Sequence, residues 1–184
     1  HSFPTRRSSD LTIGTLRHGL TAGEAIFPGL QREWHETTGM ELYEALGMSE
    51  ISTYISSSPS VPTKPGSPGK PQPGRSVCIL PVSGGEEPLE AGETGLIAVH
   101  RSDPGMMLGY WNRPADDEAV LRGDWFIGGD LGHFDDEGYV WFKGRNDDVM
   151  TSFGYRISPL EVELAIMRHP AVQQAGVTKD ELNP

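Results

Sequence analysis

Three features of the sequence predict a mixed α/β (α+β) fold. Residues 16–46 read as a short strand, a helix opening on Pro28 and an alternating strand, a strand-helix-strand unit suited to a parallel sheet. Residues 76–143 break into short β-prone runs separated by Gly-rich or acidic turns, the pattern of antiparallel structure. Residues 158–167 then open a fresh helix on Ser-Pro-Leu-Glu, so that a second α+β unit begins near the end of the sequence.

Each element has a local cause. Residues 1–11 (HSFPTRRSSDL) are polar and basic without periodicity and read as a non-native or disordered tail. Residues 16–21 predict a strand, Ala22-Gly23-Glu24 a turn, and residues 28–38 a helix with Pro28 in its first turn and Gly39 as its stop. Residues 41–46 predict the returning strand, at whose end stands Gly47-Met48-Ser49-Glu50. Residues 51–74 are rich in Ser and Pro; a linker is one reading, and a long ordered loop the preferred one, because Gly69 to Gly74 lead straight into an apolar strand at 76–81. Residues 95–100 predict its antiparallel partner, 107–111 an extended piece, and 114–121 a short helix with Asp116, Asp117 and Glu118 in its first turn, ended by Gly123. Three strands follow, at 125–129, 132–135 and 139–143, the last two joined by Asp136-Glu137-Gly138. Ser158 as N-cap, Pro159 and Glu161 make a capping box, His169-Pro170 stops that helix, and 171–178 predict a further strand.

The bulk properties exclude several classes. A net charge of −11 opposes a phosphate-backbone binder, so nucleic acid is not an expected partner. A single cysteine, Cys78, rules out a disulfide framework and suits a reducing, cytoplasmic setting. No apolar stretch approaches the ~18 residues of a bilayer span. The six histidines show no paired ligand spacing. Gly-Gly at 84 and 128 opens no helix as a dinucleotide fingerprint would, and Ser49 lacks the setting of a hydrolase nucleophile.

The chain is organised around residues 123–163, where candidate binding groups succeed one another. Asp130 closes a strand after two glycines; its carboxylate can accept two hydrogen bonds from a vicinal diol, as a ribose offers, or can simply cap a turn. Arg145, across a hairpin, can grip a phosphate or ribose oxygen, or pair with Asp147 or Asp148. The ligand reading expects Asp130 and Arg145 to face a common cavity and clasp one sugar phosphate. Glu50, at a strand end, can ligate magnesium, which favours one or two carboxylates plus phosphate oxygens, or can be a solvated surface carboxylate.

Four motifs also carry a resemblance. Ala45-Leu46-Gly47-Met48-Ser49-Glu50, Gly109-Tyr110-Trp111-Asn112, residues 125–132, and Gly144-Arg145-Asn146-Asp147-Asp148 running on to Gly154-Tyr155-Arg156-Ile157 stand in the order and spacing of the adenylate-forming enzymes. The sequence resembles an acyl-CoA synthetase of the AMP-binding superfamily, which also holds peptide-synthetase adenylation domains and luciferases. The resemblance implies an ATP-dependent carboxylate-CoA ligase: a carboxylate and ATP give an acyl adenylate and pyrophosphate, and the thiol of coenzyme A then displaces AMP. It implies a strand-helix-strand unit plus a distorted antiparallel β-barrel over 12–146, the C-terminal part of the large domain, and the truncated start of a small lid domain over 147–184. It assigns Asp130 to the ribose hydroxyls, Arg145 to ribose or phosphate, Ser49 to the phosphates, and Gly23, Glu24 and Leu46 to the surroundings of adenine and the acyl group. Glu50 becomes the Mg2+ ligand, Asp147 the hinge between domains and Gly154 part of the thiol approach. ATP or AMP, Mg2+ and coenzyme A are the implied ligands.

The departures are specific. Leu46 stands where relatives often have an aromatic, Gly128 where threonine is frequent, and Thr151 where many have lysine. The Gly/Ser/Thr-rich phosphate loop is absent, and the catalytic lysine is expected beyond the C-terminus, so the fragment is expected to be inactive while its parent is an enzyme. A carrier-protein-loading adenylation domain and a non-catalytic β-rich module are the alternatives. The motifs do not encode which acid is used, since pocket shape selects it.

Overall fold

A computed structural model describes residues 14–152 and 155–178. The predicted strand-helix-strand unit is present: β1 (Gly19–Ala22), α1 (Pro28–Thr38) and β2 (Leu42–Met48), with β1 and β2 parallel from Gly19↔Leu42 to Ala22↔Ala45. Gly39 ends α1 in the left-handed conformation at φ 71°, its N–H donating to His35 O at 2.8 Å. The first strand is shorter than expected and starts at Gly19, where a Cβ would stand 3.1 Å from Leu42 and 3.2 Å from Trp34.

The serine- and proline-rich stretch is ordered, as preferred, yet it holds strands rather than loop alone. β3 (Ser52–Ser56) turns back antiparallel on β2, and β4 (Lys70–Pro71) adds to β3. The strand was hidden because its apolar content is confined to Tyr54 and Ile55, both fully buried. Gly47 permits the tight return: a Cβ there would meet Ser52 O at 2.6 Å and Thr53 Cα at 2.8 Å.

A second, curled sheet contains β5 (Val77–Leu80), β6 (Gly95–His100), β7 (Leu121–Arg122), β8 (Trp125–Phe134) and β9 (Val140–Arg145), all neighbours antiparallel. Helix α2 (Pro114–Ala119) precedes β7, so Gly123 forms the β7–β8 turn instead of ending a helix, while residues 107–111 form no strand. The two strands expected at 125–129 and 132–135 are one. β8 pairs first with β7, at Leu121↔Phe126, then with β9, from Asp130↔Arg145 onward. Gly128 and Gly129 mark this handover; Gly129 has φ 87°, where L side chains are strained.

Val140 N donates to Gly69 O at 2.9 Å and stitches the first sheet to β9. The sheets thereby share one core of Ile51, Tyr54, Ile55, Ile79, Ile97, Val99, Phe126 and Val140, each side chain of this kind contributing roughly 1.5–3 kcal/mol by burial. Two further ties fix the proline-rich segment: Lys64 Nζ donates to Asp135 at 2.7 Å and Glu137 at 2.8 Å, and Ser67 Oγ donates to Val140 O at 2.6 Å.

Beyond β9 a small hairpin, β10 (Met150–Ser152) and β11 (Tyr155–Ile157), leads to α3 (Pro159–Ile166). Ser158 precedes α3, but the capping box does not form. Its hydroxyl donates to Lys143 O at 2.7 Å, and Glu161 lies 3.6 Å from Lys143 Nζ. Residues 171–178 form no strand; Val177 N donates instead to the Glu163 carboxylate at 2.8 Å. No helix among the described residues is long and apolar enough to cross a membrane.

Candidate functional site

Asp130 and Arg145 occupy directly opposed positions on β8 and β9 and therefore project from the same face. Arg145 Nη1 donates to Asp130 Oδ1 at 3.4 Å and Nη2 to Asp147 Oδ2 at 3.3 Å. Gly129 makes room for this, since a Cβ there would lie 3.2 Å from Arg145 Nη2. Gly128 faces Met48: a Cβ there would fall 2.5 Å from its sulfur, so the thioether occupies the space a side chain would need. Asp130 is buried, and burial pushes its carboxyl above the usual range, against the pull of Arg145 and with help from the charge of Glu50. The aspartate and arginine touch each other, leaving no sugar-sized gap between them, and of the two Arg145 alone lines the adjoining cleft, so they do not share a cavity wall as expected. A ligand would meet the pair from the side on which the guanidinium, 47% exposed, is open.

That side is a cleft of about 720 Å³ in which Arg145, Asp147 and Asp148 face Gly23, Glu24 and Ala25 from the β1–α1 connection, with Leu160 and Glu163 of α3 across the opening. A smaller recess of about 150 Å³ continues from it, again touching Gly23 and Glu24 and lined by Leu46, Phe142, Leu160 and Leu164. Leu46 thus offers an apolar wall beside the turn at 23–25. Glu44, on the same strand, also lines the recess; its carboxyl is raised by burial, and its Oε1 accepts the Ile26 N–H at 3.3 Å. Sequence reasoning passed over Glu44, which in an alternating strand looks like any solvent-facing glutamate.

Ser49 and Glu50 lie at the tip of the β2–β3 return, Ser49 exposed and Glu50 half-buried. Glu50 lines neither cavity, but its charge is felt at Asp130. Glu50 Oε1 accepts the Tyr110 hydroxyl at 2.8 Å, and the tyrosine, desolvated and held against that carboxylate, is pushed up to about 12. Among the described residues no three His, Cys, Asp or Glu side chains gather as a metal site. Glu50 therefore stands as a single carboxylate, and magnesium is an ion that takes one or two carboxylates with phosphate oxygens completing its shell. The expected thiol-approach residue, Gly154, lies outside the described residues.

A curled antiparallel sheet set against a parallel β-α-β unit is the fold shared with solved adenylate-forming enzymes. The chain belongs to the AMP-binding enzyme family, whose model matches residues 2–111. It is 36% identical over 170 residues to the mitochondrial acyl-coenzyme A synthetase ACSM3 of Mus musculus, covering 92% of this chain and 29% of that protein. ATP-bound MatB from Rhodopseudomonas palustris superposes with a TM-score of 0.82 at 31% identity, over 88% of this chain and 32% of its own. The O-succinylbenzoate coenzyme A synthetase of Bacillus subtilis, in complex with ATP and magnesium ion, gives a TM-score of 0.77 at 34% identity, over 90% and 34%. The chain therefore spans about a third of the length of these relatives.

Proposed function

We propose that the full-length protein is an ATP-dependent carboxylate-CoA ligase, forming an acyl adenylate and then a thioester. In this reading residues 12–146 belong to the large nucleotide-binding domain and 147–184 open the lid. The observation that carries it is Asp130 opposed to Arg145, whose side chain lines a cleft that also reaches Gly23 and Glu24, with Leu46 in the adjoining recess. A ribose diol donates two hydrogen bonds to the Asp130 carboxylate. Arg145, already held by Asp130 and Asp147, meets a ribose or phosphate oxygen with little further loss of side-chain freedom. Leu46 supplies apolar contact to the base, and the Ser49 hydroxyl stands toward the phosphates. Magnesium, held by Glu50 and phosphate oxygens, would neutralise charge on the departing pyrophosphate. Asp147, between β9 and the β10–β11 hairpin, serves as the hinge about which the lid reorients for the thiol, and Gly154 borders its approach. The names of the relatives favour coenzyme A over a carrier protein as acceptor. A reducing aqueous compartment, cytoplasmic or mitochondrial, suits one free cysteine and a mitochondrial relative.

The test is ATP-Mg2+ calorimetry on the full-length protein, together with pyrophosphate release over a panel of carboxylates with coenzyme A. Carboxylate-dependent release, and ATP binding lost on Asp130→Ala, are expected. ATP binding that is absent, or indifferent to Asp130→Ala, overturns the reading.

A further inference from the structure

The segment from Asp103 to Asn112 has little regular structure, and it exposes Leu108 and Trp111, yet it is pinned at both ends. At one end Arg75 forms an ion pair with the buried Asp103, whose Oδ1 also accepts the Gly105 N–H at 2.8 Å. At the other, Tyr110 N donates to Asp117 Oδ1 of α2 at 2.7 Å. Between these anchors the segment holds Glu50 twice: Met107 N donates to Glu50 O at 2.7 Å, and the Tyr110 hydroxyl donates to Glu50 Oε1 at 2.8 Å. A chain that fixes both the main chain and one carboxylate oxygen of a residue about sixty positions away is set up to aim it.

Resting on the reading of Glu50 as the magnesium ligand, we propose that Tyr110 is a positioning residue for the metal-nucleotide site. Its hydroxyl takes Oε1 and so presents Oε2 to the cation. Magnesium demands near-ideal octahedral geometry at ~2.0–2.1 Å, which a freely rotating carboxylate meets only part of the time. A donor behind the ligand removes that freedom, and such outer partners typically matter by roughly 10–100-fold in metal affinity. A neutral phenol also does this without placing a competing positive charge beside the cation, as lysine or arginine would. Asp117 extends the arrangement by one step, because it fixes the backbone from which Tyr110 reaches.

The experiment measures ATP affinity of the full-length protein by calorimetry with Mg2+ and with EDTA; the ratio of the two reports metal-dependent binding apart from turnover. Tyr110→Phe is expected to lower that ratio about 10-fold or more while leaving the affinity in EDTA and the melting temperature near wild type. Glu50→Gln is expected to lower it further, and the double variant to match Glu50→Gln alone, since the tyrosine acts through the glutamate. If Glu50→Gln lowers the ratio and Tyr110→Phe leaves it within about twofold, the positioning role is refuted and the metal assignment stands. If Glu50→Gln leaves it unchanged, the metal assignment fails and takes the positioning role with it.

Discussion

Replacing Asp130 by asparagine should separate ligand binding from folding in a single variant. The carboxylate is buried at 6% exposure, so its hydrogen bonds to a ribose diol are screened little by solvent. Hydrogen bonds to a charged acceptor contribute about 1.5–3 kcal/mol and neutral ones about 0.5–1.5, so asparagine forfeits about 1–1.5 kcal/mol per bond. For two bonds the loss is about 2–3 kcal/mol, or roughly 30- to 150-fold in ATP affinity at 1.4 kcal/mol per decade. Stability should move differently. Because the folded carboxyl is raised above its unfolded value near ~3.9, the folded state binds the proton more tightly than the unfolded one, and stability falls as pH rises through the folded value. Ionising the buried Asp130 therefore costs stability that asparagine does not. Arg145, half-exposed and still paired with Asp147, loses little by the exchange. Asp130→Asn should thus melt at or above wild type at neutral pH, with a stability profile that falls less as pH rises above the unfolded carboxyl value of ~3.9, while ATP calorimetry shows the weakened binding. An affinity within about threefold of wild type, or a melting temperature lowered at pH 7, would refute the argument.

Other residues are open to direct tests. Arg75→Met strands the fully buried Asp103 side chain, whose Oδ2 already has no hydrogen-bond partner, and should cost about 3–5 kcal/mol in urea unfolding; a loss below ~1 kcal/mol would refute the buried pair's role in the fold. Gly47→Ala drives a methyl into Ser52 O and the Thr53 backbone, so the β2–β3 return must open; a lowered melting temperature together with weaker metal-dependent ATP binding is expected, and a neutral effect on both would count against the close approach. The Cys78 thiol, pushed up to about 11 by burial, is almost wholly protonated at pH 7.5, so it should react with a disulfide reagent far more slowly in the native protein than in urea; equal rates would contradict the burial.

Where the fold was legible in advance, the signal was local. Pro28 and Gly39 bound α1 as expected because each acts through its own dihedral preference, and β5 and β6 are short unbroken apolar runs between turn residues. The misses are tertiary in origin. β3 becomes a strand by pairing with β2, and its own composition suggests loop. The glycines at 128 and 129 look like a turn, yet they bend one strand across two partners. Ser158 had the right neighbours for a cap, but Lys143 O, fifteen residues back, claimed its hydroxyl. The site divides in the same way. Asp130 and Arg145 stand out from spacing across a hairpin, whereas Glu44 and Tyr110 gain meaning only through Ile26, eighteen residues away, and Glu50, sixty away.

The proline-rich segment has a consequence for anyone who would exchange parts among such proteins. Gly66 and Pro68 form one side of the recess beside Leu46, and they stand where they do because Lys64 is tied to Asp135 across seventy-one residues and Gly69 to Val140. Grafting residues 57–74 alone would import a wall without its fastenings. The smallest transplantable block includes 134–141 as well, two stretches far apart in the gene that must be inherited together for the recess to keep its shape.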